Sequence, residues 1–319
     1  MDGQDSRWQA KRAAAKQALC NQTLDGLAPF SDVAGRYRDN DELRYSLRAL
    51  QQFFPEHGHV YVVTDQQTPT WLAPNERLSI VDHRDLMPAQ HLPTFDSGNI
   101  ESYIHRIPSL SERFFYLNDD VFFGAPVRLS DWFYDAGIFV AWSDDAAIDG
   151  DALCPNATAL INASRLSKQW LGSNAATTAA QAGYRHTPRT FAHSPRPMLK
   201  SMMLALESTA PELFTLVRST VFRAWDKPTI VADFALRWAL ASGFAKVRAH
   251  THVHVSTGDA HASAQLTALS QQFGTLDFFC INDTTDDAES HDARLALAKQ
   301  TLHHLLPHAS GFERVPLTA

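Results

Sequence analysis

Asp119 and Asp120 stand side by side in an otherwise apolar stretch, Leu117-Asn118-Asp119-Asp120-Val121-Phe122-Phe123. Buried like charges repel, and each carboxylate loses its water on burial. A divalent cation relieves both penalties: Asp oxygens at a strand end ligate Mg2+ or Mn2+ while phosphate oxygens complete the shell. The segment Phe278-Phe279-Cys280-Ile281-Asn282-Asp283 repeats the design, and Asp283 becomes a further ligand if the fold brings the two segments together. Asp65 and Asp82 also end apolar runs; alone, they read more simply as turn-forming residues.

Bases and cations lie elsewhere along the chain. Two His-x-Pro-Arg units follow closely on each other, His186-Thr187-Pro188-Arg189 and His193-Ser194-Pro195-Arg196. Proline fixes the backbone beside each histidine, and a neutral imidazole is a competent general base toward a hydroxyl. Either histidine fits that role, and a solvated loop histidine is the plainer alternative for both. Ser97-Gly98-Asn99 reads as a polar turn opening a short helix, suited to a phosphate or a sugar hydroxyl. Glu101 and His105 follow at i,i+4 spacing, as a salt-linked pair or a substrate contact. Arg223, between Phe222 and Trp225, is either a stacked structural residue or a phosphate clamp. His252 and His254 alternate along a strand pattern; with no acid or cysteine near in sequence, the structural reading is preferred to a metal site.

These groups need a scaffold with converging strand ends. Residues 59–65, 78–83 and 114–117 read as buried strands. Helices are expected over 7–19, 41–50 (capped by Asn40 or Asp41, with Leu43, Leu47 and Leu50 on one face), 196–208, 229–243 and 290–305, and a strand over 250–255. The order predicts an α/β fold: a Rossmann-like mixed or parallel sheet flanked by helices, with ligands at the carboxyl ends of the strands. Residues 145–185 are weakly patterned, a loop-rich excursion with a helix near 157–171, so a loop-rich and helical insertion is expected around 145–220. The chain has 319 residues with 28 Lys and Arg against 35 Asp and Glu, a formal charge of −7. That balance speaks against a nucleic-acid partner. Cys20, Cys154 and Cys280 are too sparse for a disulfide framework or a zinc motif and read as free thiols in a reducing compartment. No signal-like or membrane-spanning stretch is legible, so a cytoplasmic protein is expected, with peripheral docking at the inner face of the cell membrane or on polysaccharide-assembly proteins left open.

Taken together, the segments resemble the Stealth family of capsular and exopolysaccharide phosphotransferases, which also contains the catalytic subunit of the lysosomal-enzyme GlcNAc-1-phosphotransferase. Arg36 through Arg48 looks like the opening of the second conserved region, and His91 to Pro126 (with LPTFDSGNIE, HRIPSLSERF and YLNDDVFFG) like its main body. His193 through Arg223 looks like the third region, FFCIND like the fourth, and Asp2-Gly3-Gln4-Asp5-Ser6-Arg7-Trp8 like the end of the first. The resemblance implies one catalytic domain over 1–319, with family segments near 2–20, 36–140, 185–243 and 270–310. It implies transfer of a hexose 1-phosphate, for example an N-acetylhexosamine 1-phosphate, from a UDP-sugar to a saccharide acceptor hydroxyl, with release of UMP. It places Asp119, Asp120 and Asn282 or Asp283 around a Mg2+ or Mn2+ ion and the pyrophosphate. His193 becomes the base, with His186 as the other candidate, and Arg223 balances charge on the phosphoryl group. Asp2, Ser97, Asn99, Glu101, His105, Asn118, Arg189 and Arg196 are the expected substrate contacts. In the family an apolar strand leads into Trp-Val-Asp-Gly; here Met1 stands where that strand should end, so this strand is expected to be missing. The competing expectations are a metal-dependent glycosyltransferase releasing UDP and an inactive sugar-nucleotide-binding remnant.

Overall fold

The computed structural model describes residues 3–20, 26–289 and 291–314; Asp2 therefore lies outside the described residues. The Ala- and Lys-rich opening forms helix α1 (Ser6–Cys20), whose Trp8 is buried against Tyr37 and Phe95. Helix α2 (Glu42–Phe53) follows. Its Leu47 packs with Val62, Leu72, Leu78 and Phe312, while Tyr45, Ala49 and Phe53 face the main core. Asp41 is the N-cap residue but makes no side-chain bond to the helix; its carboxylate pairs with Lys299 instead.

Strands β1 (Val60–Thr64) and β2 (Leu78–Asp82) pair in parallel. Their acidic tips take structural roles. Asp65 receives Lys11 Nζ at 2.7 Å on each oxygen. Asp82 caps the short helix α3 (His83–Leu86), accepting from Arg84 N at 2.9 Å. Then come α4 (Ser97–Glu101), β3 (Arg113–Tyr116), β4 (Val121–Phe123), β5 (Phe133–Tyr134) and β6 (Gly137–Val140). The stretch around 145–220 supplies α5 (Ala159–Asn174), α6 (Ala176–Gln181), β7 (Arg196–Leu199), α7 (Lys200–Thr209) and α8 (Pro211–Arg218). The chain continues through α9 (Ala235–Ala241), β8 (Ala245–Val247), β9 (His252–Ser256), α10 (Ala262–Gln272), β10 (Phe278–Asn282) and α11 (Ala293–Leu305).

The class is α/β with mixed strand directions, as the residue pattern predicts. The described strands form short ladders: β1–β2, β4–β10–β9, β3–β7 and β5–β6–β8. Two expected helices start differently. Residues 196–199 are strand β7, antiparallel to β3 with Arg196 opposite Tyr116 and Pro197 opposite Phe115. Met198 is wholly buried and the segment is taken up by its pairing with β3, so the helix begins only at Lys200. The helix expected over 229–243 opens with a π turn, Ile230–Phe234, before α9. Gly243 then stops it at φ +78°.

The core is built around β4 and β10, where Phe122 stacks on Phe279 with ring centroids 4.8 Å apart. Every residue of β1, and every residue from Phe114 to Asp120, lines one cavity. Successive side chains point to opposite faces of a strand, so it is the backbone edges of β1 and β3 that front this space. Among the described residues, each of these strands has a ladder partner on one side alone, β2 and β7 respectively.

A buried ion pair fixes the 187–189 segment. Arg237, fully buried, donates to Asp233 at 2.8 and 3.0 Å, to Ser164 Oγ at 2.8 Å, to Thr187 O at 3.0 Å and to Arg189 O. Ser167 Oγ adds a bond to Asp233 Oδ2 at 2.6 Å. Removing one partner strands a buried charge, so Arg237→Ala is expected to destabilise the fold by about 3–5 kcal/mol. Urea unfolding checks this: the midpoint should fall with the slope unchanged, and an unmoved midpoint refutes the assignment.

Candidate active site

The cavity between the β1 and β3 edges encloses about 770 Å³, a size suited to a small-molecule ligand. Its wall is electrostatically divided. Glu42, Asp119 and Asp120 line one part; Arg36, Arg196 and Arg223 line another. On the acidic part, burial and the Asp119 charge push the Glu42 carboxyl up to about 8. Burial, again with Asp119 beside it, pushes Asp120 up to about 7. Asp120 Oδ1 is buried and accepts no hydrogen bond. On the basic part, the repulsion of Arg223 and burial both lower Arg36, and burial lowers Arg196. The Nε atoms of Arg36 and Arg196 are buried with no acceptor. Glu42 and Asp120, biased toward neutrality, thus stand opposite two guanidinium Nε atoms that have no acceptor, an arrangement with room for both a cationic and an anionic group.

Local structure explains each placement. Asp119 and Asp120 fall in the turn between β3 and β4, and Ile281 N of β10 donates to Asp120 O at 3.1 Å, holding the turn against the second apolar strand. Asp96 caps α4, accepting from Gly98 N at 3.0 Å and from Thr220 Oγ1 at 2.8 Å. Arg223 Nε lies 3.5 Å from Asp96 Oδ1, and its Nη2 donates to Ser97 Oγ. Phe222 stacks on Phe95, so the neighbouring aromatic is structural while the guanidinium reaches the cavity. Arg36 sits in a tight turn against the end of β10. A side chain on Gly35 would put its Cβ 2.5 Å from Asp283 O, so only glycine allows that approach.

His193 lines the cavity. Burial, Arg196 and His254 hold its imidazole well below the ordinary value, so it is neutral at physiological pH. Its Nε2 lies 3.2 Å from Asn118 Oδ1 and 3.5 Å from Asp120 Oδ1. Asn118 Nδ2 donates to Tyr116 Oη at 3.2 Å, and Tyr116 Oη donates to Glu101 Oε1 at 3.0 Å. This chain is satisfied when Nε2 carries the proton and gives it to Asn118, which leaves Nδ1 as the basic nitrogen. Glu101 thereby orients the His193 imidazole through two intermediaries and touches it nowhere.

Of the residues singled out in the sequence, Ser97, Glu101, Asn118, Asp119 and Asp120 line the cavity together, as do His193, Arg196, Arg223, Asn282 and Asp283. Asp283 is already occupied, accepting from Arg38, Asn40, Thr257 and Thr285, and this leaves it poorly placed to ligate an ion. Four residues are elsewhere. Asn99 is fully buried and donates to the carbonyls of Arg218 and Thr220, a brace between α4 and the end of α8. His105 does not pair with Glu101, because α4 ends before it; its Nε2 meets Glu207 Oε2 at 2.7 Å. His186 lies by Ser164 and Tyr184, where burial and Arg237 bring it down to about 4. The Arg189 guanidinium donates to Asp145 O at 3.4 Å, away from the cavity. The pattern in the sequence hides Arg36 and Tyr116, since an arginine in a polar turn and a tyrosine ending a strand carry no spacing signal of their own.

Comparison with known proteins returns two family models: Stealth protein CR2, conserved region 2, over residues 36–140, and Stealth protein CR4, conserved region 4, over residues 274–319. An exopolysaccharide phosphotransferase of Streptomyces coelicolor is 32% identical over 319 residues, covering 98% of this chain and 32% of its own length. The exopolysaccharide phosphotransferase CpsY of Mycobacterium tuberculosis is 31% identical over 284 residues, 89% of this chain and 51% of its own. The capsular polysaccharide phosphotransferase LcbA of Aeromonas hydrophila is 39% identical over 134 residues, 42% of this chain and 36% of its own. The chain thus spans about one third to one half of the length of these relatives.

The raised Asp120 carboxyl has a consequence for stability. Its folded value, about 7, lies above its ordinary 3.8, so stability is lost as pH rises from the lower value through the higher one. An amide removes that penalty. In the presence of chelator, Asp120→Asn is expected to be more stable than the parent by about 0.5–2 kcal/mol at pH 8, with the advantage fading near pH 4. Thermal melts at the two pH values test it; equal melting temperatures at pH 8 would remove the buried-charge account.

Proposed function

The chain belongs to the Stealth family, and on that footing we propose that it transfers a hexose 1-phosphate from a UDP-sugar to an acceptor hydroxyl in capsular or exopolysaccharide synthesis, releasing UMP. The observation that carries this reading is the meeting in one cavity of the neutral His193, the Asp119–Asp120 pair and the guanidiniums of Arg36, Arg196 and Arg223. The names of the relatives, exopolysaccharide and capsular polysaccharide phosphotransferases, agree with it.

The chemistry follows from the groups. His193 takes the proton of the acceptor hydroxyl through the nitrogen that Asn118 leaves unprotonated. The acceptor oxygen forms its bond to the sugar-bearing phosphorus of the donor. The bridge from that phosphorus to the nucleotide phosphate breaks, and UMP departs with the bridging oxygen. Negative charge spreads over the transferring group, where Arg36, Arg196 and Arg223 neutralise it without reorganising. Ser97, held by Arg223, is within the same wall and suits a hydroxyl or phosphate oxygen.

The residues present fit a hard divalent cation: the orphaned Asp120 Oδ1, its neighbour Asp119 and the cavity-lining Asn282 offer oxygen donors. Mg2+ or Mn2+ held there supplies neutralisation of the pyrophosphate. No described helix is long and apolar enough to cross a membrane; peripheral docking beside a polysaccharide-assembly system suits the proposed role.

A product assay over a panel of UDP-sugars with Mg2+ or Mn2+ and a saccharide acceptor tests the reading, with UMP as the expected nucleotide. Release of UDP instead makes the protein a glycosyltransferase. Against the same donor, His193→Ala should lower kcat by about 10²–10⁴-fold while His186→Ala stays near the parent. Equal effects of the two substitutions would remove His193 from the role of base.

A further inference from the structure

Cys280 and His254 take no part in the proposed transfer, yet they sit directly opposite each other in the parallel β9–β10 ladder. Residues in register project to the same face of a sheet. His193 reaches that face from the segment before β7, its ring 6.2 Å from that of His254. One ligand atom from each of His193, His254 and Cys280 falls within 4.8 Å of the others. Asp120 borders the trio twice, with Oδ1 3.5 Å from His193 Nε2 and Oδ2 3.5 Å from Cys280 Sγ. Its Oδ1 is the buried atom that accepts no hydrogen bond.

Two imidazoles, a thiol and a carboxylate are not a magnesium donor set. Nitrogen and sulfur select zinc-class cations, which favour tetrahedral sites. The edge of such a tetrahedron is about 3.6 Å for ordinary zinc–nitrogen and zinc–sulfur bonds, so closing the trio takes movements on the order of 1 Å. His254 is exposed and has the freedom to make them; Cys280, at 1% exposure, supplies the fixed point.

We propose that His193, His254 and Cys280, with Asp120 as the fourth donor, form a binding site for a thiophilic divalent cation of the zinc class. Binding converts the Cys280 thiol to the thiolate, and the proton passes to solvent. The cation holds the His193 imidazole and shares Asp120 with the oxygen-donor site, so occupancy stops the transfer. That inhibition rests on the phosphotransferase reading; the binding does not.

The test uses the whole chain, stripped with a chelator and titrated with Co2+ alone, then with Zn2+ as competitor. The expected result is a thiolate-to-cobalt charge-transfer absorption at one equivalent, displaced by Zn2+. Cys280→Ser should abolish the band, Cys154→Ser should keep it, and His254→Gln, a change at an exposed strand position, should weaken binding tenfold or more. No band in the parent chain, a band that survives Cys280→Ser, or unchanged affinity in His254→Gln overturns the site. If UMP release is observed, Zn2+ should inhibit the parent and require at least tenfold higher concentration for His254→Gln; equal inhibition overturns the coupling to transfer. If no UDP-sugar is turned over, the functional reading fails while the absorption titration still decides the metal site.

Discussion

The register of β10 between β4 and β9 is the constraint on which the rest of the site depends. Phe279 opposite Phe122 and Cys280 opposite Val121 lock one side; Cys280 opposite His254 locks the other. The period of side-chain direction is two, so a slip of one residue would break the Phe122–Phe279 stack and carry Cys280 to the opposite face. The stack is what forbids it: Phe122, Phe123, Phe278 and Phe279 are all at most 1% exposed. Once that register is set, Asp120 is pinned by Ile281 N and Asn282 emerges beside the acid pair. Hydrophobic packing on both faces of a short ladder thus fixes polar geometry on its rim.

The division of charge around the cavity is the second organising feature. Among the described residues Asp120 is paired with no guanidinium, whereas Asp283 is paired with Arg38 and Glu313 with Arg48. Leaving buried polar atoms unmatched is costly, and such mismatches concentrate where a ligand completes the pattern. Asp283 and Glu313 each accept from several donors, whereas burial pushes Glu42 and Asp120 toward protonation.

Much of this was legible in the sequence, because it rests on local rules. The amphipathic α2, the strand-like runs at β1, β2 and β3 and the Asp119–Asp120 pair among apolar residues follow from periodicity and burial cost. Where the reading departs from the structure, tertiary contacts decide. Arg196–Leu199 has the residues of a helix start but pairs with β3, because the core needs Met198 and an edge can accept Pro197. Glu101 and His105 obey helical spacing, yet α4 is too short to carry both. His254 looks structural along the chain, where no acid or cysteine is near; Cys280 and Asp120 join it only through strand pairing. The two His-x-Pro-Arg units share one pattern in sequence; in the structure the Arg237 network claims the backbone of the first, while His193 of the second lines the cavity.

The facing edges of β1 and β3 set a rule for what can fill the cavity. Many of the residues that line it are apolar, such as Val60, Val62, Phe114 and Phe115, and composition alone would suggest a greasy pocket. Each edge, however, presents peptide N–H and C=O groups that water must otherwise satisfy. A hydrocarbon occupant would strip that water and return nothing. An occupant rich in hydroxyls, amides or phosphate oxygens replaces it group for group. The backbone itself therefore acts as a polarity filter, admitting guests by their capacity to hydrogen-bond before any side chain has distinguished one from another.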